Sequence, residues 1–263
     1  QFLEPRDVAV LSDGRLVVAD TGNRRVQIFD AQYNFLTTLT GGDEPFEEPL
    51  AVTADRNDNI LILDSTLQWV YRYDSQGNFI GRFGGSEARF FHPRGLTAFE
   101  DNSLAVADTG TGQIKFFDSS GQESGSIGTL GTAPGQFNEP TDVLRDSQGT
   151  YFVVEAENDR LQRLDGAGQP LNQWPIPPSL ALNGPHLAFA PDHCLFVTHA
   201  DSGTLQRYDP DGALLDQWQT IDQLRLAAPV GIYFDANTQR LYVTDVVTHQ
   251  VHVFWVQMGD EEG

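Results

Sequence analysis

The stretch GRLVVADTGNRRVQIFDAQYNFLTT, Gly14 to Thr38, reads as three strands of one antiparallel unit. Leu16 to Ala19 is an apolar run ending in Asp20, and Thr21-Gly22-Asn23 is a turn. Val26, Ile28 and Phe29 make a second strand stopped by Asp30, and Phe35 to Thr38 begins a third. β-Branched and aromatic residues fit a pleated, half-buried surface, while Gly, Asn and Asp supply the turns.

Working outward, the unit recurs. Pro5, Pro49, Pro93, Pro140, Pro185 and Pro229 are spaced 44, 44, 47, 45 and 44 residues apart, and each leads into an apolar strand. A second strand then ends at Asp20, Asp64, Asp108, Glu155, His199 or Asp245. A third follows (VQIFD, VYRYD, IKFFD, LQRLD, LQRYD, VHVFW), and usually a fourth. Four strands in about 44 residues, with no helix, is the period of a propeller blade. The sequence therefore predicts an all-β, six-bladed β-propeller of four antiparallel strands per blade. Its one domain spans 1–263, with blades near 5–48, 49–92, 93–139, 140–184, 185–228 and 229–257.

The run VADTGNRRV at Val18 to Val26 resembles the NHL repeat: an acidic strand end, a Gly-Asn turn, then a basic residue before the third strand. The resemblance extends over six repeats and implies a six-bladed propeller. The first and third repeats match best, the fourth and fifth least. The last blade lacks an outer strand, because QMGDEEG after Val256 does not read as one. Gln1 to Glu4 resembles the loop after a fourth strand, as in QFNEP at Gln136 to Pro140. Either the closing strand lies upstream of Gln1 or blade six is three-stranded. Without that strand, VHVFWV at Val251 to Val256 is an apolar edge open to self-association. A start at Gln1 fits a processed protein or an excised domain of a larger one.

The formal charge is −21, the pI is about 4.4, and Lys115 is the only lysine. That charge repels phosphate backbones, so the reading is no nucleic acid, although some NHL domains bind RNA on a basic top surface. It suits cationic ligands or metal ions, or is simply a solvated acidic surface. Cys194 is alone, so it forms no internal disulfide. No apolar run reaches the length of a membrane span. An extracytoplasmic or periplasmic setting is slightly favoured.

Inter-blade loops and the turns joining second to third strands share one face, the top. The residue after each repeat proline enters the channel mouth there: Arg6, Leu50, Arg94, Thr141, His186 and Val230. Arg6 and Arg94 suit a carboxylate or phosphate. Trp69, in a turn where a polar residue is usual, offers a stacking face if exposed. For Asp20 and Asp108 the structural reading is preferred, an acid accepting backbone hydrogen bonds in its turn. Interest moves to repeats that depart from the pattern. His186 and His199 should come together at the top of blade five, near Glu155 and Asp142 of blade four. That set could bind zinc or calcium, or act as an acid–base pair. His249 is a weaker candidate.

Some NHL-type propellers are amidating lyases that hold zinc through histidines just after the repeat proline, and only His186 stands at such a position here. Related lactone hydrolases hold calcium at the channel; Asp142, Glu155 and Asp7 supply oxygens but not a full set. There is no G-x-S-x-G elbow and no P-loop. The reading is a non-catalytic module binding a protein or small-molecule ligand on the top face. The alternative is a metal-dependent hydrolase or lyase centred on His186, His199, Glu155 and Asp142.

Overall fold

The protein is described by a computed structural model at residues 1–179, 184–190 and 192–256. Blade one is β1 (Pro5–Val10), β2 (Leu16–Asp20), β3 (Arg25–Phe29) and β4 (Phe35–Leu39), antiparallel and in chain order. Blade two is β5 (Pro49–Ala54), β6 (Ile60–Asp64), β7 (Trp69–Tyr73) and β8 (Phe79–Gly84). Then come α1 (Gly85–Ala88) and blade three: β9 (Gly95–Ala98), β10 (Leu104–Asp108), β11 (Gln113–Phe117) and β12 (Glu123–Ile127). Blade four is β13 (Pro140–Arg145), β14 (Tyr151–Glu155), β15 (Arg160–Leu164) and β16 (Pro170–Pro175). Blade five is β17 (Leu187–Phe189), β18 (Leu195–His199), β19 (Thr204–Tyr208) and β20 (Leu214–Trp218). A hairpin, β21 (Thr220–Ile221) and β22 (Leu224–Arg225), leads into blade six: β23 (Pro229–Asp235), β24 (Arg240–Asp245) and β25 (Gln250–Trp255).

The second strand of each blade explains the ring. Leu16 and Val18 point to one face of β2, Val17 and Ala19 to the other, because side chains alternate along a strand. The first pair packs with Tyr242 of blade six, and the second with Val52, Ile60 and Ile62 of blade two. Such a strand is buried on both faces, so its sequence is a continuous apolar run rather than an alternating one. The same arrangement joins blades two and three, three and four, four and five, and five and six. Six apolar walls for six blades close the ring. Phe2 belongs to the wall between blades six and one, against Phe29. Its counterpart ahead of Pro140, Phe137, is fully buried in the wall between blades three and four.

Blade six has three strands among the described residues, and β25 pairs with β24 alone. Trp255 on that edge is exposed, with the Arg240 guanidinium 4.6 Å from its ring centroid. Residues 257–263, expected not to form a strand, lie outside the described residues. The period allowed no helix, yet α1 is one helical turn. Gly84 and Gly85, at φ 104° and 59°, turn the chain over Trp69, and a Cβ on Gly85 would lie 2.4 Å from that ring. Among the described residues no helix is long and apolar enough to cross a membrane.

The inner strands of neighbouring blades meet at the centre without pairing into one sheet, so their small residues set how close they come. A Cβ on Gly231 of β23 would lie 2.4 Å from the Arg6 carbonyl oxygen and 2.5 Å from the Asp7 Cα. Gly95 of β9 meets the Thr141 carbonyl oxygen of blade four in the same way, at 2.4 Å. Gly231→Ala is expected to cost about 1–3 kcal/mol by overpacking, read from urea unfolding. Gly81→Ala is a control for glycine loss alone, since nothing lies within 4 Å of its Cβ position and its φ is outside the left-handed region.

Candidate functional site

The acids ending the second strands hold the inter-blade loops. Asp20 accepts Leu3 N–H at 2.7 Å, Asp64 accepts Glu47 and Glu48 N–H at 2.8 and 3.0 Å, and Asp108 accepts Phe91 N–H at 2.6 Å. Glu155 accepts Asn138 N–H at 2.8 Å, and Asp245 accepts Ala227 and Ala228 N–H at 2.7 and 3.1 Å. In every case the donor lies just before the repeat proline. The reading of Asp20 and Asp108 as acids accepting backbone hydrogen bonds in their own turns is corrected: neither caps the turn that follows it, and the backbone donor comes from the inter-blade loop, whereas Asp64 and Asp245 accept from both. Several of the acids also have paired cations: Arg25 on Asp20, Lys115 on Asp108 and Arg160 on Glu155.

Glu155 is therefore engaged in structure, its two oxygens taken by Asn138, Asn158, Arg160 and Gln162. His199 stands at the acid's position in blade five, where the loop residues 180–183 ahead of Pro185 lie outside the described residues. The His199 ring is 2% exposed, and among the described residues neither nitrogen has a hydrogen-bond partner. Gln206 lies beside it, but that side chain donates to Gln217 and accepts from Tyr208. Burial pushes the imidazole down to about 4.

His186 and His199 are not brought together. His186 faces Thr198 in the sheet, donating its N–H to Thr198 Oγ1 at 3.0 Å and accepting Thr198 N–H at 3.1 Å. His199 is one residue further on, so its ring turns to the opposite face, the wall shared with blade four. That wall also takes Leu195 and Val197, which alternate with Thr198. Of the four residues expected to hold a metal, only Asp142 and His186 meet. Among the described residues no three His, Cys, Asp or Glu side chains converge to hold a metal ion, so the expected set of His186, His199, Glu155 and Asp142 is not assembled for zinc.

Trp69 begins β7 opposite Asp64 instead of lying in a turn. It is half-buried between Gly85 and the Arg82 guanidinium, 4.2 Å from its ring centroid. His249 accepts Glu4 N–H through Nδ1 at 3.0 Å. Arg6 and Arg94 lie at the top mouth with side chains 14% and 15% exposed. Arg6 reaches Glu4 at 3.4 Å, and Arg94 reaches Glu139 at 3.5 Å. Arg6 Nε and Arg94 Nη1 are buried with no hydrogen-bond partner. Burial, with the nearby Arg6 charge, lowers the Arg94 pKa despite Glu139.

Beneath this roof is a cavity of about 400 Å³, walled by the inner strands of all six blades. Its closed end carries Asp7, Asp142 and His186, all buried. Further along the strands Ala54, Ala98, Arg145 and Phe234 are half-exposed, so the cavity opens on the face opposite the top. A second hollow of about 650 Å³ shares Ala54, Ala98, Phe99, Glu100 and Tyr233 with it and forms a vestibule there.

Asp7 and Asp142 are placed by the same device. A bulge follows the repeat proline in β1 and in β13. Each carboxylate then accepts the next residue's N–H, Val8 or Val143, at 2.8 Å. Each also reaches the following blade: Asp7 accepts Val52 N–H at 2.8 Å, Asp142 accepts Leu187 N–H at 2.9 Å. His186 Nδ1 lies 3.5 Å from Asp142 Oδ2. Burial pushes Asp7 up to about 7 against the pull of His186 and the two backbone donors. Burial disfavours the His186 imidazolium, but Asp142 and then Asp7 outweigh it, and the pKa is raised. The sequence carried a signal for this pair: Gly95 and Gly231, two residues after the preceding repeat prolines, make room for Asp142 and Asp7.

The family model of the NHL repeat matches residues 2–29. No curated protein matches the chain. Among solved structures, a streptogramin B lyase is similar at 13% identity and TM-score 0.64, over 98% of this chain and 85% of that one. A catalytically inactive virginiamycin B lyase from Staphylococcus aureus with quinupristin is 13% identical, TM-score 0.68, over 98% and 86%. Kuenenia stuttgartiensis hydrazine synthase is 12% identical, TM-score 0.70, over 97% and 96%. Identities this low speak to the fold alone. The chain is a six-bladed β-propeller whose first blade carries an NHL repeat.

Proposed function

We propose that this propeller is a non-catalytic binding module that takes a small molecule into its central channel. The observation that carries the reading is the cavity of about 400 Å³, open at one end and closed at the other by Asp7, Asp142 and His186. Concave cavities with a few convergent polar groups are where small ligands bind, and this one presents polar and apolar surface about equally. Thr53 lines the channel and is half-exposed, its hydroxyl held only by a 3.4 Å contact from Ala98 N–H. Thr53→Trp fills the channel with a residue that strands accommodate. A thermal-shift screen of small metabolites should give hits with the wild type that Thr53→Trp abolishes. Hits indifferent to Thr53→Trp would place binding elsewhere and sink the reading.

A second reading is favoured by the contact of Asp142 with His186. A carboxylate that orients an imidazole is the usual support of a general base. Under that reading His186 removes a proton in an elimination, as in a lyase without a metal, and two of the fold neighbours are named lyases. Turnover lost on His186→Gln, with ligand binding kept, would favour it over the binding module.

A further inference from the structure

We propose that the channel ligand carries a protonated amine on a short apolar stem, and that Asp7 and Asp142 hold the ammonium between them. The inference rests on the channel being the binding site. Asp7 and Asp142 occupy one repeat position in blades one and four, which are opposite one another in a ring of six. Their carboxylates therefore face across the closed end of the cavity. Each oxygen of Asp7 accepts one backbone hydrogen bond, which leaves lone pairs for a ligand donor.

The two sites differ in one respect. Asp142 has a partner of its own, the His186 imidazole, whose protonated form it favours, from the position after the repeat proline of the next blade. The matching position beside Asp7 holds Leu50. Asp7 thus has no ion pair among the described residues, although it is buried. A buried carboxylate without a counter-charge is unfavourable, and an ammonium entering beside it removes that cost. His186, nine-tenths buried, also lines the cavity; protonated, it has donors only, so the ammonium finds its acceptors on Asp7 and Asp142.

The rest of the path suits the same ligand. Val8, Val52, Leu96 and Ile232 give the walls an apolar surface for a stem. The vestibule is rimmed by Asp55, Asp58, Glu100 and Asp235 against Arg56, and Arg145 in the cavity wall is paired with Asp101, so the acids prevail at the open end and concentrate cations there. Arg6 and Arg94 are outside the cavity lining, and an anion entering from the vestibule would meet the acids first.

n-Hexylammonium, n-hexanol and hexanoate share a stem and differ in charge, and each can be titrated calorimetrically into the full chain. The amine is expected to bind about tenfold to a hundredfold tighter than the alcohol, as a buried charge-assisted hydrogen bond allows. Asp7→Asn should bring the two to equal affinity. Because Asn cannot accept both backbone N–H groups, Leu50→His is the second variant. It places an imidazole beside Asp7 as His186 lies beside Asp142, and should cut amine binding about tenfold with the alcohol unchanged. Equal binding of amine and alcohol, tightest binding of hexanoate, or amine binding untouched by Leu50→His would each overturn the inference. If none of the three binds, the inference falls too, and the Thr53→Trp screen decides the channel reading separately.

Discussion

Glu155→Ala is expected to cost about 3–5 kcal/mol of stability and to lower the melting temperature by on the order of 10 °C. The carboxylate is fully buried and collects four donors: Asn138 N–H at 2.8 Å, Asn158 Nδ2, Arg160 Nε at 2.7 Å and Gln162 Nε2 at 2.7 Å. Removing it leaves the Arg160 charge, 8% exposed, without its counter-ion. It also frees Asn138 N–H, which fixes the loop entering blade four. Arg160 keeps hydrogen bonds to the carbonyls of Thr132, Ala133 and Gln136, but these neutral acceptors do not cancel a charge. Glu155→Gln keeps the shape and one acceptor, and should fall between the two. Glu155→Ala combined with Arg160→Leu removes both charges and should recover part of the loss, because a buried pair contributes less than breaking it costs. Urea unfolding followed by circular dichroism measures all three. A loss below about 1 kcal/mol for Glu155→Ala would match an exposed pair instead, and would contradict the structural role.

Glu155 also shows what the sequence could and could not convey. Its departure from Asp invited a functional reading, yet its carboxylate meets Arg160 Nε at 2.7 Å much as that of Asp20 meets Arg25 Nε at 2.6 Å. The blade count was legible because each repeat states its own strands and turns locally, at a period of about 44 residues. The site was not, because its members meet through register and ring closure. A bulge after Pro5 and after Pro140 re-aims Asp7 and Asp142 into the channel. A difference of one residue in β18 sends His199 into a wall while His186 stays in the channel. The direction of opening was hidden as well. Only packing shows that Arg6 and Arg94 roof the top and that the acids are reached from the other face. Much of the net charge is likewise local: Asp30, Asp74, Asp118 and Asp209 each accept N–H groups two and four residues ahead in hairpin turns.

His199 gives a large pH-dependent effect. Its pKa is about 4 in the folded chain against 6.5 for the free side chain. Below pH 6.5 the unfolded chain therefore takes up a proton that the native chain refuses. By linkage, stability falls as the pH falls, at roughly 1.4 kcal/mol per unit for one proton. The loss continues to about pH 4 and amounts to about 3 kcal/mol. Asp7 acts with the opposite sign. Its carboxyl titrates near 7 when folded and 3.8 when free, so between these values the native chain holds the extra proton and gains stability on acidification. The two contributions oppose one another from pH 6.5 to 4, and the wild-type profile is correspondingly flat in this window. His199→Leu removes one of them. At pH 7 it should be neutral or stabilising by about 1 kcal/mol, since two unsatisfied buried nitrogens are lost. Towards pH 4 its advantage over the wild type should widen to about 3–4 kcal/mol, with the Asp7 contribution then visible as a rise in stability. Urea midpoints for both proteins at half-unit steps measure this. A constant difference across the window would show that His199 titrates normally and that its ring is hydrated in solution.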